Sequence, residues 1–549
     1  MARIWPPRLR QADLEVTPAA PSDGADGALP AAARLLKNGR FEDAVRICLE
    51  VVKQTPENAA AWSLLGNARV AQKQYTKAIR CYGRVLTVAP DSAEVLNNLG
   101  AVHQLRGDSK PAAECFRRAL TLKPGYAQAH CNLGVALRKL GRLNDAIACQ
   151  RRAIDIAPDY AKAHYNLGNA LKEASERNAS IRAYEQAIAL DPGHAEAHNN
   201  LGTVLESQGD TVEALAKFSR AMALDETYVE AHYNYALLHR FEAGDPTLNK
   251  LQQLDRGEGQ SPPNKNRLAF ALAKASADLG DHDTAFTLYA HANAERRQRS
   301  NYDKSAAAHE VETIIAANIE IPEIVFPAET GSAPIPIFVL GLSRSGKTLV
   351  ESLLASQADV FAAGESENWQ RLRQDAKRKG SNQATPERLG AAYRQEMRRL
   401  SGTAQYFVST LDTNIFSLAE ITTALPEARL VLCLREPLDN ALLMYFKRYE
   451  QGHAHAYDFE DIAHFMAQRA RLQAHWRRLY GDRLMTLEYE SLTRGGAAVA
   501  AQIAAHVGLR FDPAATLPEL HREEIGVWKC YDRHMDPLRA ALARYRGTI

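Results

Sequence analysis

Residues 127–160 read AQAHCNLGVALRKLGRLNDAIACQRRAIDIAPDY, and residues 161–194 read AKAHYNLGNALKEASERNASIRAYEQAIALDPGH. Both stretches are 34 residues long, and small residues and proline stand at matching positions in each. The same spacing relates Gly66, Gly100, Gly134, Gly168 and Gly202, then Pro56, Pro90, Pro124, Pro158 and Pro192, then Ala44, Ala78, Ala112, Ala146 and Ala214, with Ser180 in the one gap. Three residue types that share one period indicate a tandem structural repeat.

The residue types explain how each repeat folds. Glycine and alanine let two helices approach closely, and proline ends a helix because it lacks an N–H donor and clashes with the preceding turn. One helical pair cannot bury its apolar face alone, so neighbouring pairs stack into a superhelix with a concave surface. The pattern resembles the tetratricopeptide repeat, a helix–turn–helix unit of the same length.

The repeat pattern and the composition together predict the domain organisation. About six repeats span residues 28–228, and a seventh opens at Val229. The first residues of the chain are rich in Ala, Pro, Gly and Asp, which is typical of disorder. The predicted parts are, in order, a disordered tail at 1–27, repeats at 28–240, a loop at 241–265, further repeat-like helices and a connector at 266–330, and a second domain at 331–549.

Asparagine also recurs with the 34-residue period, at Asn98, Asn132, Asn166, Asn200 and Asn234. An asparagine amide carries a donor and an acceptor, so it can pair with both groups of a peptide unit. A ladder of asparagines on the concave surface would hold an extended polypeptide without reading its sequence. Similar ladders occur in repeat arrays that feed protein substrates to glycosyltransferases. The alternative is that these side chains hydrogen-bond within the array, and the spacing is compatible with both roles.

The second half opens with a strand, a glycine-bounded loop and a helix. The apolar run 335–340 is typical of a buried strand, GLSRSGKT follows at 341–348, and residues 349–355 have helical apolar spacing. The backbone N–H groups of such a loop and the N-terminus of its helix bind anions. The loop matches G-x-x-x-x-G-K-[ST], a nucleotide phosphate loop. The predicted fold class is an α-superhelix followed by an α/β P-loop-like domain with a central parallel sheet.

Two classes of nucleotide site are compatible with this loop. A kinase or nucleotidase needs Mg²⁺, which is usually held by an acid at the end of a second buried strand. The clearest second strand, 428–434, is followed by Arg435 instead, and Asp412 is the nearest acidic substitute. An arginine at a strand end suits a second anion, so the sequence favours a nucleotide with two separated phosphate groups and no essential metal.

Several blocks of the second half resemble the tetratricopeptide-repeat sulfotransferases, relatives of the protein-tyrosine sulfotransferases. The first block is PIFVLGLSRSGKTLVESLLAS at 336–356, and DVFAAGE follows at 359–365. The later blocks are Asn414, ARLVLCLREP at 428–437, Tyr457-Asp458, His475-Trp476, LEYE at 487–490, VGLRFD at 507–512, WKCY at 528–531 and DPL at 536–538. The resemblance spans residues 28–549 and includes the repeat array.

The resemblance implies a donor and a set of site residues. The donor of the family is 3′-phosphoadenosine 5′-phosphosulfate (PAPS), and no metal is expected. The loop residues implied to hold the 5′-phosphosulfate are Arg344, Ser345, Gly346, Lys347 and Thr348. Arg435 would hold the 3′-phosphate, because its planar fork forms paired bonds to phosphate oxygens. Glu365 would be the base that takes the acceptor proton.

Three positions depart from the family pattern. Lys347 replaces a threonine of the loop, Thr410 stands where the relatives carry a lysine that stabilises the departing group, and Leu443 replaces a donor-binding serine. Losing one such charge partner costs on the order of 10²–10³ in rate. One hypothesis is that Lys347 has taken over the role of the lysine missing at position 410, which makes both Glu365 and Lys347 catalytic. The opposing hypothesis is a catalytically impaired scaffold of the same fold.

Composition narrows the remaining function classes. The 67 Lys and Arg residues nearly balance 65 Asp and Glu residues, and a net charge of +2 argues against a general nucleic-acid binder. We find no apolar run of the roughly 18 residues that a membrane span requires, and no secretory signal at the N-terminus. The 7 cysteines are scattered without a C-x-x-C pair, which favours a cytoplasmic protein.

The expectation is a PAPS-dependent sulfotransferase acting on a hydroxyl acceptor, including a tyrosine on a polypeptide held by the array.

Overall fold

The computed structural model describes residues 27–317, 334–379, 385–450, 452–515, 524–545 and 547. The chain forms two compact units, Met1–Gln208 and Gly209–Ile549. The tail predicted at 1–27 lies outside the described residues except for Gly27, as does the part of the predicted connector at 318–330. Among the described residues, no helix is both long and apolar enough to cross a bilayer.

The first unit consists of helices joined by short turns, in the order that the repeat pattern predicts. The helices are α1 (Ala28–Lys37), α2 (Phe41–Gln54), α3 (Ala59–Ala71), α4 (Tyr75–Val88), α5 (Ala93–Arg106), α6 (Ser109–Leu122), α7 (Ala127–Lys139), α8 (Leu143–Ile156), α9 (Ala161–Glu173), α10 (Arg177–Leu190) and α11 (Ala195–Ser207). Each repeat contributes one pair of helices, so the predicted superhelical class is confirmed.

Close approach of the paired helices requires the repeated glycines. A Cβ atom added at Gly100 would lie 2.6 Å from the ring of Phe116, and one at Gly168 would lie 2.6 Å from the ring of Tyr184. Both rings are fully buried. In these two pairs, the missing side chain of glycine in the first helix leaves the space that an aromatic ring of the second helix occupies.

The repeated prolines mark the turns between successive pairs. The carbonyl of Pro56 accepts a hydrogen bond of 2.8 Å from Trp62 Nε1, and the carbonyl of Pro158 accepts one of 2.9 Å from His164 Nε2. Each bond joins the turn to the first helix of the next repeat. The same bond joins His130 Nε2 to the carbonyl of Pro124, so it forms at three of the repeated prolines.

The second unit begins with a series of helices that precede its sheet. They are α12 (Thr211–Leu224), α13 (Val229–Leu238), α14 (Pro246–Arg256), α15 (Pro262–Asp278), α16 (His282–Arg297) and α17 (Lys304–Ala316). The pair α15 and α16 forms the repeat-like hairpin expected from the sequence.

The loop predicted at 241–265 is wrong, because α14 occupies its middle. Asp245 caps this helix by accepting a hydrogen bond of 2.7 Å from Thr247 N, and Pro246 fits the first turn, where its missing N–H needs no partner. Leu251 and Leu254 are buried and pack into the core. Asp245 and Pro246, which suggested a loop, therefore mark the start of a helix.

A five-stranded parallel sheet forms the centre of the rest of the unit. Its strands are β1 (Ile335–Gly341), β2 (Val360–Gly364), β3 (Tyr406–Ser409), β4 (Arg429–Leu434) and β5 (Leu484–Glu488), in the order β2-β3-β1-β4-β5. The helices are α18 (Lys347–Ala355), α19 (Asn368–Lys379), α20 (Pro386–Ser401), α21 (Leu418–Ala424), α22 (Pro437–Tyr445), α23 (Phe459–Tyr480), α24 (Tyr489–Val507) and α25 (Asp536–Ala543). Short 3₁₀ helices include Asp412–Ser417, Ala454–Tyr457 and Val527–His534.

Both faces of the central strand are buried. Phe338 and Leu340 point into one core with Trp476, while Ile337 and Val339 point into the opposite core. Strands covered on both faces carry continuous apolar runs rather than alternating ones, as is typical of a parallel sheet. The predicted central parallel sheet is therefore confirmed.

The repeat-like hairpin packs directly against helices of the sheet domain. Asn293 of α16 donates a hydrogen bond of 2.7 Å to the carbonyl of Tyr445 at the end of α22, and both residues are buried. Arg296 of α16 donates a bond of 2.8 Å to the hydroxyl of Tyr457. These shared contacts explain why the compact unit that contains the sheet begins at Gly209, well before the boundary that the sequence suggested.

Candidate functional site

The carboxyl ends of all five strands meet at one edge of the sheet. Because every pairing is parallel, the residues that follow the strands are brought together there. They are the loop after Gly341, Glu365 after β2, Thr410 after β3, Arg435 after β4 and Tyr489 after β5. This edge therefore collects every site residue that the sequence predicts.

The loop between β1 and α18 has an unusual backbone. Arg344 and Gly346 have φ angles of +68° and +97°, and a left-handed conformation is uncommon for a residue with a side chain. A Cβ atom at Gly346 would lie 2.7 Å from the ring of Tyr489. The turn directs the N-terminus of α18 toward the cleft, which is the arrangement that binds anions.

Neighbouring side chains hold the loop in place. Asn440 of α22 donates a hydrogen bond of 2.7 Å to the carbonyl of Ser343, and the Tyr449 hydroxyl donates one of 2.8 Å to Ser343 Oγ. Ser345 Oγ donates a bond of 2.8 Å to the carbonyl of Leu342. The side chain of Ser345 thus supports the turn itself, while Thr348 is exposed at the start of α18.

Lys347 is a buried cation of the site. Its side chain is only 4% exposed, and its Nζ forms no hydrogen bond to any residue that the structure describes. The nearest carboxylate belongs to Glu365, with 3.9 Å between Nζ and Oε1. Burial lowers the pKa of Lys347, and the negative charges of Asp412 and Glu365 oppose that shift. A buried ammonium group without a hydrogen-bond acceptor is prepared to bind an anionic oxygen.

Glu365 lies at the entrance of the cleft, where its side chain is 59% exposed. The residue before it is held by Glu351 of α18, whose Oε1 accepts a hydrogen bond of 2.5 Å from Gly364 N. The other oxygen of Glu351 accepts a bond of 3.4 Å from Thr410 Oγ1. Glu351 therefore fixes the ends of β2 and β3 relative to the loop helix. The sequence offered one signal for it, an acid on the apolar face of α18 one turn after Lys347.

Asp412 adds a second carboxylate to the cleft. Burial alone would raise the pKa of Asp412, but the nearby charges of Lys347 and Arg469 lower it below the usual aspartate range. The carboxylate is thus ionised at neutral pH and balances part of the cationic charge of the cleft.

His455 is a buried histidine in the same region as Asp412. It lies in the 3₁₀ helix Ala454–Tyr457 and stacks on Phe465, with ring centroids 3.5 Å apart. Burial lowers the pKa of His455 well below its usual value, so the ring is neutral. Among the described residues, no group of three or more His, Cys, Asp or Glu side chains is placed to hold a metal ion.

Arg435 reaches the loop from the end of β4. Its side chain is 1% exposed, and its Nη1 donates a hydrogen bond of 3.0 Å to the carbonyl of Arg344. The guanidinium lies 4.0 Å above the ring of Tyr489. Its other partner is Glu524, whose carboxylate lies 3.2 Å from Nη1 and whose carbonyl accepts a bond of 2.6 Å from Nη2. Tyr489 lies in the LEYE block at 487–490, which gave it no role in the site, and Glu524 lies in none of the blocks of the resemblance.

This geometry agrees with a family match to the same stretch of chain. A sequence model of the sulfotransferase family matches residues 336–513, which run from β1 through α24. Residues 336–513 form a domain of the sulfotransferase family. Tetratricopeptide-repeat models match residues 29–79, 57–125, 115–148, 136–175 and 165–229. The chain therefore joins tetratricopeptide repeats to a sulfotransferase-family domain.

Individual relatives are distant. An uncharacterized protein of Aquifex aeolicus (strain VF5) is 24% identical over 338 residues, which cover 54% of this chain and 44% of that protein. The chain thus spans less than half the length of this relative. Among solved structures, MamA is 30% identical over 30% of this chain and 95% of its own, with a TM-score of 0.28. PilW, a type IV pilus biogenesis factor, is 20% identical over 38% of this chain and 97% of its own, with a TM-score of 0.36.

All three departures from the sulfotransferase pattern are buried residues. Thr410 is buried and bonded to Glu351, so it offers no charge to the cleft. Leu443 is buried in α22 and has no polar atom to offer to a phosphate. Lys347 is the departure that brings a new charge to the site.

Three of the five repeated asparagines donate hydrogen bonds to other residues of the repeat array. Asn132 Nδ2 donates to Asn97 Oδ1 at 3.0 Å, and Asn166 Nδ2 donates to Cys131 Sγ at 3.3 Å. Asn200 Nδ2 donates to the Tyr165 hydroxyl at 3.2 Å and to Asn169 Oδ1 at 2.9 Å. In each case the partner belongs to the preceding repeat. These bonds support the array-internal role for Asn132, Asn166 and Asn200.

Proposed function

We propose that the sulfotransferase-family domain transfers a sulfuryl group from PAPS to the hydroxyl group of an acceptor. The observation that carries this proposal is the position of Lys347, buried on the phosphate loop and 3.9 Å from the carboxylate of Glu365. A cation and a base stand side by side at the strand edge where nucleotides bind in parallel sheets. Sulfuryl transfer requires both groups.

The residues of the cleft fit one end of the donor well. The left-handed turn at Arg344 and Gly346 presents the N-terminus of α18, and the Lys347 ammonium has no hydrogen-bond acceptor among the described residues. Both features suit the 5′-phosphosulfate. Arg435 lies beside the loop, where it would bind the second phosphate. Leu443 contributes no polar group to that phosphate.

Each residue then has one task in the transfer. Glu365 accepts the proton of the acceptor hydroxyl as the hydroxyl oxygen bonds to sulfur. The bond from sulfur to the bridging phosphate oxygen breaks, and Lys347 stabilises the negative charge that develops on that oxygen. The products are the sulfate ester, adenosine 3′,5′-bisphosphate and a proton held on Glu365. Glu351 keeps Glu365 in position through the backbone of Gly364.

The acceptor in this proposal is a polypeptide, with tyrosine as the first residue to test. Glu365 is 59% exposed, so a hydroxyl group on a large molecule can approach it. A repeat array offers an extended surface for a protein partner. Asn98 is the ladder position that we propose for contact with the polypeptide, since Asn132, Asn166 and Asn200 donate within the array. We also propose a cytoplasmic location, because all 7 cysteines are free thiols.

The test uses the full chain with PAPS and peptides that carry tyrosine, serine or threonine. We expect release of adenosine 3′,5′-bisphosphate and a gain of one sulfuryl group in the peptide mass. Binding of PAPS, ATP and GTP should be compared with and without Mg²⁺. Magnesium-dependent binding of ATP would identify a kinase or nucleotidase instead.

A catalytically impaired scaffold is the second candidate, and two observations favour it. Leu443 removes one polar group from the donor site, and Glu524 already pairs with Arg435. A chain that binds none of the nucleotides in the binding comparison would be such a scaffold.

A further inference from the structure

Glu524 links the two arginines of the site. Its Oε1 lies 3.3 Å from Arg344 Nη2, and its Oε2 lies 3.2 Å from Arg435 Nη1. Oε2 also accepts a hydrogen bond of 3.4 Å from the Tyr489 hydroxyl. The carboxylate is thus an anion of the protein itself, bound by the groups that the phosphate-binding assignment requires.

The main chain around Glu524 is anchored. Gly526 N and Trp528 N donate hydrogen bonds of 2.6 and 3.0 Å to the buried carboxylate of Asp439 at the start of α22. The carbonyl of Glu524 accepts a bond of 2.6 Å from Arg435 Nη2. The side chain, in contrast, is 30% exposed. The carboxylate can therefore leave the arginines by a side-chain rotation while the backbone stays in place.

Charge explains why the carboxylate occupies this position. The Arg435 side chain is 1% exposed, and a buried guanidinium without a counter-ion is strongly unfavourable. Carboxylate and phosphate oxygens both match the donor fork of a guanidinium. Two anions cannot share Arg435 without repulsion, so any phosphate group that binds there has to displace the carboxylate.

We propose that Glu524 is a built-in competitor of the second phosphate of the donor and that it sets the affinity and selectivity of the nucleotide site. The inference rests on the proposed function, since it takes Arg435 as the ligand of that phosphate. Nucleotides with a phosphate at this position have to break the contacts of Glu524 with both arginines. Nucleotides with a hydroxyl group there leave the contact with Arg435 intact.

The test measures binding by calorimetry, with adenosine 3′,5′-bisphosphate and adenosine 5′-monophosphate as ligands of the full chain. Glu524→Gln keeps the size of the side chain and an acceptor for Arg435 but removes the charge. We expect it to bind the bisphosphate roughly ten- to a hundredfold more tightly than the unsubstituted chain, from the strength of hydrogen bonds between charged groups. The gain in affinity for adenosine 5′-monophosphate should be clearly smaller.

Glu490→Gln is the matched control, because it removes one negative charge from the same strand edge. Glu490 accepts a hydrogen bond of 3.0 Å from Glu436 N, and glutamine can still accept it. This variant should bind both nucleotides as the unsubstituted chain does. Glu524→Asp is a second variant, in which a shorter carboxylate cannot reach both arginines, so a smaller gain for the bisphosphate is expected.

Three outcomes would overturn the inference. Bisphosphate affinity that is unchanged or weaker in both Glu524 variants would show that the carboxylate does not compete, and would leave the proposed donor intact. An equal gain in affinity for the two nucleotides would show that Glu524 competes with the 5′-phosphate, which both nucleotides carry, and not with the second phosphate. Absence of bisphosphate binding in every variant would reject the donor class and the competitor role together.

Discussion

Replacing Lys347 by methionine should make the protein more stable and less active at the same time. The Lys347 side chain is 4% exposed, and its closest carboxylate, that of Glu365, lies 3.9 Å away and is largely in solvent. An ion pair with an exposed partner contributes only about 0–1 kcal/mol, whereas desolvating a buried ion costs several kcal/mol. Methionine fills a similar volume without a charge. We therefore expect the free energy of unfolding to rise by about 1–3 kcal/mol.

The same substitution removes the cation that we assign to the leaving oxygen. Loss of one preorganised partner for transition-state charge lowers turnover by about 10²–10³-fold. Urea unfolding and PAPS turnover, measured on the same preparations, test both expectations. Lys377→Met, an exposed lysine on α19, is the matched control and should change stability by less than about 0.5 kcal/mol. A Lys347→Met protein that is less stable, or one that retains full turnover, would refute the reasoning.

The pH dependence of stability follows from the pKa of Lys347. Burial lowers this pKa in the folded state below the usual lysine value of 10.5, so between the two values the unfolded chain binds more protons than the folded one. The stability of the unsubstituted chain therefore rises with pH across that window. The advantage of Lys347→Met should be complete below the folded-state pKa and should shrink as the pH rises toward 10.5. Unfolding curves at several pH values measure this difference.

Three further substitutions test other parts of the molecule. Glu365→Gln should lower PAPS turnover by about 10²–10⁴-fold while leaving nucleotide binding nearly unchanged, and a normal rate would exclude Glu365 as the base. Gly168→Ala should lower the free energy of unfolding by about 1–3 kcal/mol, because the added Cβ would lie 2.6 Å from the Tyr184 ring; a neutral effect in urea unfolding would contradict that packing. Asn166→Ala removes the bond to Cys131 Sγ and should cost about 1 kcal/mol of stability without changing peptide sulfation, whereas a loss of sulfation alone would return this asparagine to the substrate ladder.

Local patterns predicted much of the architecture and part of the site. The 34-residue spacing of glycine and proline predicted the helical pairs, because packing within a repeat depends on residues a fixed distance apart in the chain. The strand, loop and helix around Lys347 were also predicted from residues that are close together in the chain. The resemblance to the sulfotransferases supplied Glu365, and the common edge of the parallel strands explains why it lies near Lys347. The helix α14 was missed because Asp245 and Pro246 are compatible with either a turn or a helix start.

The sequence alone determined the repeat array, the glycine-bounded loop between β1 and α18 and the parallel sheet, because short-range spacing and apolar patterning encode them. Only the tertiary structure decided which charges meet in the cleft. Glu524 is 180 residues from Arg344 in the chain, yet its carboxylate binds that arginine and Arg435. The buried, hydrogen-bond-free state of the Lys347 ammonium also depends on surrounding elements rather than on its own segment. Electrostatics acts through space, so the pairing of distant charges follows from the path of the folded chain and not from any local pattern.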